Sequence, residues 1–308
     1  MIVVVCPGQG SQTPGFMLPW LDLPAFRSSI EGMQAASGID LIAHGTVSDA
    51  DTIRDTSVAQ PLIVSAGVAT LATLFDANGT VSSKISGVAG HSVGEITAAV
   101  ATGIFTAEQG IKFVKERGDA MALAAGLEPT SMAAILGGEQ TVVEARLAEL
   151  DLEPANYNGG GQIVAAGAAA AIGELQAEGP AGARVIPLQV AGAFHTRYMA
   201  PAVSTLAAYA AGLTVADPIT NLWTNAGGRA VDSGTQFVEL MVNQVKSPVR
   251  WDLCMAAMVE AGVTAMIEVS PAGTLVGLAK RSMPGVETLA IKSPENLDAA
   301  LALIANHA

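Results

Sequence analysis

The residues Ile2-Val3-Val4-Val5-Cys6 are apolar without a break. A strand half-exposed to water alternates, so an unbroken run predicts a strand covered on both faces, as in a parallel sheet. Comparable short runs occupy residues 85–89, 219–224, 265–269 and 288–291. Between them the apolar positions recur at helical spacing. This predicts helices over residues 24–37, 62–76, 106–123, 199–211, 235–245, 252–261 and 296–305. In the helix over 62–76, Ile63, Ala66, Val68, Leu71 and Leu74 make a broad apolar face, Thr56 to Pro61 supply the cap, and Asn78-Gly79 ends it. Residues 40–45 read as a short, loop-bounded element. Strands alternating with helices predict an α/β fold around a parallel sheet.

The rhythm changes after Ala124-Ala125-Gly126-Leu127-Glu128-Pro129, and the elements shorten. Residues 132–136 read as a strand and 141–150 as a helix. Strands over 155–158 and 162–166 flank Gly159-Gly160-Gly161; a helix over 168–178 stops at Gly179-Pro180, and a strand over 184–190 follows. The order βαββαβ is ferredoxin-like. It predicts a small inserted domain over residues 129–194, with residues 1–128 and 195–308 forming one large, discontinuous α/β domain.

Composition narrows the class. A chain of 308 residues has room for about two domains. Half of its residues are apolar and 14% are charged, which supports a large core and excludes a disordered class. The net charge of −13 argues against nucleic acid or an anionic membrane as partner. No apolar run reaches the roughly 18 residues of a membrane-spanning helix. The start lacks the positive region of a secretory signal. Cys6 and Cys254 sit among apolar residues, which predicts buried, unpaired thiols in a cytoplasmic protein. The four histidines are scattered without ligand spacing, so no metal site is expected.

The chemistry concentrates in Gly90-His91-Ser92-Val93-Gly94-Glu95, a Gly-x-Ser-x-Gly sequence between a predicted strand and a helix of small residues. That context is the nucleophile elbow, a sharp turn that lifts a serine hydroxyl above a sheet. In a chain with 33 glycines the motif alone is weak, and its context is what gives it weight. The turn also aims the N–H of Val93 at the serine oxygen, as one donor of an oxyanion hole. Pro7-Gly8-Gln9-Gly10-Ser11-Gln12 follows the first strand; Thr13 stands where a dinucleotide fingerprint needs glycine, so that reading is rejected. It is either a plain turn or the source of a second oxyanion donor from the backbone of Gln9. Arg117, flanked by Lys115 and Asp119, is either a solvated surface residue or a fork for a carboxylate. His195, between a strand and a helix at the domain junction, is the candidate base. His91 adjoins Ser92 but points to another side of the turn.

Taken together, Pro7 to Gln12, Gly90 to Glu95, Arg117-Gly118, Phe194-His195 and Gln244-x-x-x-Pro248-Val249-x-Trp251 resemble, in order and spacing, the malonyl-CoA:acyl carrier protein transacylases and the acyltransferase domains of fatty acid and polyketide synthases. The resemblance covers nearly the whole chain. It implies an α/β-hydrolase-like large domain with the ferredoxin-like insert, and no cofactor beyond the substrates, malonyl-CoA and holo acyl carrier protein. Carried over, Ser92 is the nucleophile, His195 the base, and Arg117 the ligand of the malonyl carboxylate. Gln9 and Val93 form the oxyanion hole, and the backbone carbonyl of Gln244 orients His195. Gln60, His91, Asn158 and Phe194 line the site. Val93 and Ala193-Phe194-His195 fit a preference for malonyl units, while Gly192 departs from the residue often found there.

Three rivals stay in view. A serine esterase or thioesterase would need an acid between Ser92 and His195 in the chain, where Asp119 and Asp151 lie. A scaffold subunit would have kept the fold without the chemistry. A transferase of a malonate-processing complex would load a different carrier group. An acidic carrier protein would need a local basic patch on this acidic chain, either Lys246 with Arg250 or Lys280 with Arg281.

Overall fold

A computed structural model describes residues 1–307. Among them ten strands follow in chain order: β1 (Ile2–Cys6), β2 (Gly87–Gly90), β3 (Thr130–Gly137), β4 (Glu153–Gly159), β5 (Gln162–Ala168), β6 (Ala183–Leu188), β7 (Asn221–Trp223), β8 (Val249–Arg250), β9 (Ala265–Glu268) and β10 (Glu287–Ala290). They form two five-stranded sheets.

The first sheet has the order β10-β9-β1-β2-β7 and is parallel throughout. Its central strand explains the unbroken apolar run. Ile2, Val4 and Cys6 pack into one core with the helices Thr56–Leu74, Gly94–Ala101 and Ala107–Ala125. Val3 and Val5 face the opposite side, against Trp251, Met255 and Met258 of the helix Trp251–Glu260 and Leu275 of the helix Thr274–Ser282. Both faces are dry, so neither set of side chains can be polar. Cys6 and Cys254 are buried and unpaired, and burial pushes both thiols up.

The second sheet has the order β6-β3-β5-β4-β8. Its first four strands are antiparallel to their neighbours, and with the helices Gln140–Glu149 and Ala169–Ala177 they give the βαββαβ order. Ala133, Ile135, Val143, Leu147, Ile163, Ile172 and Leu175 make a separate core for this unit. The fifth strand comes from elsewhere. β8 runs parallel to β4, pairing Asn156 with Val249 and Tyr157 with Arg250. The pattern of apolar and polar positions marks no strand at Val249 and Arg250. A two-residue strand carries no periodicity of its own.

The remaining differences have clear causes. The helix Thr56–Leu74 begins at Thr56, where Asp55 accepts the N–H of Ser57, and runs through Pro61 rather than starting beyond it. Tertiary packing offsets the bond that proline removes. The segment is long and apolar enough in composition to cross a membrane, contrary to the sequence reading, but it is a core helix with 83% of that stretch buried. The helix Thr274–Ser282 was not foreseen. Its cap is not an adjacent Ser, Thr or Asp but the buried carboxylate of Glu268, which accepts the N–H groups of Gly273, Leu275 and Val276 at 2.9–3.0 Å. Residues 41–46 are likewise helical (Leu41–Thr46), capped by Asp40.

Candidate active site

Between β2 and the helix Gly94–Ala101, the chain turns at Ser92 with φ +53°. The two motif glycines are steric requirements. A Cβ on Gly90 would lie 2.1 Å from the carbonyl carbon of Gly94, and one on Gly94 would lie 2.2 Å from the carbonyl oxygen of Cys6. Asn225, just past β7, clamps the turn from the side. Its Oδ1 accepts the N–H of Ser92 at 2.8 Å and its Nδ2 donates to the carbonyl of Gly90 at 2.8 Å.

Ser92 Oγ lies 2.7 Å from His195 Nε2. His195 Nδ1 faces the backbone carbonyl of Gln244 at 2.9 Å, so Nδ1 carries the proton and Nε2 is left to accept from the hydroxyl. The backbone N–H of His195 donates to the carbonyl of Val245 at 2.9 Å, and its own φ is +64°. Burial, reinforced by the charge of Arg117, pushes the imidazole down to about 3, so it is unprotonated at physiological pH and its Nε2 lone pair is free to accept. Among the described residues no carboxylate stands behind it. Asp119 pairs with Lys115 and Asp151 with Arg197 at the surface, so neither acid serves the esterase arrangement.

Arg117 is 2% exposed, which disposes of the solvated reading. Gly118 brings its helix close to Thr56–Leu74, since a Cβ there would sit 3.1 Å from the carbonyl oxygen of Thr56. The guanidinium donates to Gln60 Oε1 at 2.6 Å and to Gln244 Oε1 at 2.8 Å, and Nη2 reaches Ser92 Oγ at 3.4 Å. Burial lowers it to about 10, which leaves it protonated at neutral pH. Its contacts are all uncharged, two amide oxygens and the hydroxyl of Ser92.

Gln9 and Val93 line the same cavity, and the N–H of neither donates to a protein acceptor among the described residues. The turn carrying Gln9 presses on the elbow: a Cβ on Gly8 would lie 2.9 Å from His91 Nδ1. His91 turns away from Ser92. Its Nε2 donates to Asn158 Oδ1 at 3.0 Å, and its ring meets Trp251 edge-on. Phe194, 6% exposed, closes the cavity beside His195. The cavity is about 550 Å³ and takes its walls from both domains, with Asn156, Asn158, Gln162 and Val164 facing Gln9, Ser92 and Arg117. Gly192 also has a local cause, because a Cβ there would lie 2.7 Å from that of Ala125.

Sequence reasoning missed Asn225, Glu95 as a participant, and the side chain of Gln244. Glu95 accepts from the Asn225 N–H at 2.6 Å, from Thr224 Oγ1 at 2.9 Å and from Gln244 Nε2. The one available signal was the acidic residue in the elbow motif itself, which reads equally well as a charge suited to the helix dipole.

A hydroxyl on a strained elbow, hydrogen-bonded to a neutral imidazole and facing a guanidinium, is the apparatus of an acyl-transferring serine enzyme. The chain belongs to the acyl transferase domain family, whose model matches residues 3–293. The malonyl CoA-acyl carrier protein transacylase of Mycobacterium tuberculosis H37Rv is 47% identical over 298 residues, covering 97% of this chain and 98% of the relative. The enzyme of the same name from Escherichia coli K12 is 31% identical over 306 residues, covering 97% and 98%. Among solved structures, MCAT from Mycobacterium tuberculosis superposes with a TM-score of 0.92 at 46% identity, covering 97% of this chain and 99% of that one. A malonyl-transacylase in complex with its type II PKS acyl-carrier protein gives 0.91 at 28% identity, covering 98% and 99%.

Proposed function

We propose that this protein transfers a malonyl group from malonyl-CoA to the phosphopantetheine thiol of acyl carrier protein, for fatty acid or polyketide synthesis, through an ester on Ser92. In the first half-reaction His195 Nε2 takes the Ser92 Oγ proton as Oγ attacks the thioester carbonyl. The oxyanion is held by the N–H groups of Gln9 and Val93, each worth about 3 kcal/mol by comparison with other such holes. The carbon–sulfur bond breaks, and the imidazolium returns its proton to the departing thiolate of CoA. In the second, the carrier thiol gives its proton to Nε2 and attacks the ester carbonyl. Ser92 Oγ leaves and recovers the proton from His195. Arg117 binds the free carboxylate of the malonyl group throughout.

The observation that carries this reading is the buried guanidinium of Arg117, 3.4 Å from Ser92 Oγ and in contact only with uncharged acceptors. A hydrolase of neutral esters has no use for an unmatched buried charge beside its nucleophile. The test is intact-mass analysis after incubation with malonyl-CoA. A malonyl adduct on Ser92 that carrier protein removes as malonyl-carrier supports transfer, and release of free malonate in its place refutes it.

For carrier docking we favour Lys280 and Arg281. They close the helix Thr274–Ser282, whose Thr274, Leu275 and Leu278 line the cavity mouth. Lys280 is exposed, and Arg281 donates to Gln162 on the opposite lip at 3.1 Å. Arg250 is less suited, since Asp252 binds it at 2.7 Å and it lies over Tyr157. Two buried, unpaired thiols suit a reducing cytoplasm, where we place the protein.

A further inference from the structure

Glu95 is 1% exposed and touches no cation, yet it sits one side chain away from Arg117. Its Oε1 accepts from Thr224 Oγ1 at 2.9 Å and from the N–H of Asn225 at 2.6 Å, and its Oε2 accepts from Gln244 Nε2. Every neighbour in that set is a donor. An ionised carboxylate accepts at both oxygens, whereas an amide or a protonated acid places a donor on one of them.

The amide of Gln244 is therefore oriented by its surroundings. Its Nε2 side faces three acceptors: Glu95 Oε2, Ser92 O at 3.1 Å and Asn225 Oδ1 at 3.2 Å. Its Oε1 side faces Arg117 Nη2 at 2.8 Å. Turning the amide over would set an NH2 group against the guanidinium. We propose that Glu95 is a positioning residue for substrate selection: it fixes the Gln244 amide with its oxygen toward Arg117, and so aims the guanidinium at the acyl carboxylate without neutralising it by contact. This rests on the reading that Arg117 grips that carboxylate.

The acid is poised to titrate. Burial pushes Glu95 up to about 7, against the opposing pull of the bonds from Asn225 and Thr224, the charge of Arg117 and the bond from Gln244. The other titratable group facing it is the buried thiol of Cys254, which is pushed up and stays neutral. Protonation of Glu95 introduces a donor among donors and releases the amide of Gln244. The malonyl grip is then present above about pH 7 and is lost as the pH falls through it. His195, held to about 3, does not titrate in that range.

The experiment measures Ser92 acylation by malonyl-CoA and by acetyl-CoA, on the full chain, from pH 5.5 to 8.5. Wild type should lose its malonyl-to-acetyl preference on acidification, by about tenfold or more, a size set by one charged hydrogen bond. Glu95→Gln should show the reduced preference at every pH, with acetyl transfer falling much less. A wild-type preference that stays level across the range overturns the proposal, as does a Glu95→Gln variant that loses both substrates equally. The wild-type measurement stands even if the variant fails to fold. Arg117→Ala separates the two claims. If it leaves the malonyl preference intact, the carboxylate reading itself fails, whatever Glu95 does.

Discussion

His195 leans on Gln244 through the main chain: its Nδ1 donates to the carbonyl oxygen of that residue at 2.9 Å. A carbonyl fixes the tautomer of the imidazole but brings no negative charge to stabilise an imidazolium. Burial, with the charge of Arg117 added, holds the ring far below an unfolded histidine, and the bond to the Gln244 carbonyl opposes this only in part. Folding then binds fewer protons than the unfolded chain between about 6.5 and 3, so this residue makes stability fall as the pH drops through that window. Denaturant unfolding at pH 7 and pH 5 should show a smaller loss in His195→Asn than in wild type. In the same variant, acylation of Ser92 should slow by about two to four decades, the usual contribution of a positioned base.

Removal of the guanidinium tests selection. Arg117→Ala should lower kcat/KM for malonyl-CoA by about one to two decades per lost charged bond, and reduce acetyl transfer far less. Arg117→Lys should recover only part of the loss, because an ammonium cannot make two parallel bonds to a carboxylate. Competition between the two thioesters, read by adduct mass, gives the ratio directly.

Asn225 bridges the elbow, so Asn225→Ala leaves the Ser92 N–H and the Gly90 carbonyl without partners. Each buried orphan costs about 1–3 kcal/mol. The variant should unfold at lower denaturant concentration and acylate more slowly, with KM for malonyl-CoA changed less than kcat.

Charge reversal at Lys280 and Arg281 should raise KM for carrier protein and flatten its salt dependence, while KM for malonyl-CoA stays level. An unchanged KM for carrier protein would remove this face as the docking site.

Much of this was legible along the chain. The apolar run of β1 is continuous because both of its faces are buried, and the elbow glycines are required by contacts with Gly94 and Cys6. The insert showed itself through short elements and their order. What stayed hidden depends on neighbours distant in sequence. Asn225 reaches Ser92 because β7 lies beside β2, and nothing local marks that asparagine. β8 is two residues long and exists only because β4 is there to pair with it. The helix after Gly273 has its cap on the previous strand. Arg117 looked equally at home on the surface, since Lys115 and Asp119 beside it do face solvent.

The neutral company of Arg117 has a thermodynamic corollary. The fold buries a positive charge among uncharged acceptors alone, two amide oxygens and the Ser92 hydroxyl, an arrangement that weakens it relative to one with a bound counter-ion. On the proposed mechanism, a malonyl ester on Ser92 would deliver that counter-ion and tether it in place. The loaded intermediate should then be the sturdier species, with a melting temperature above that of the free protein, and a thermal melt before and after malonyl loading checks it.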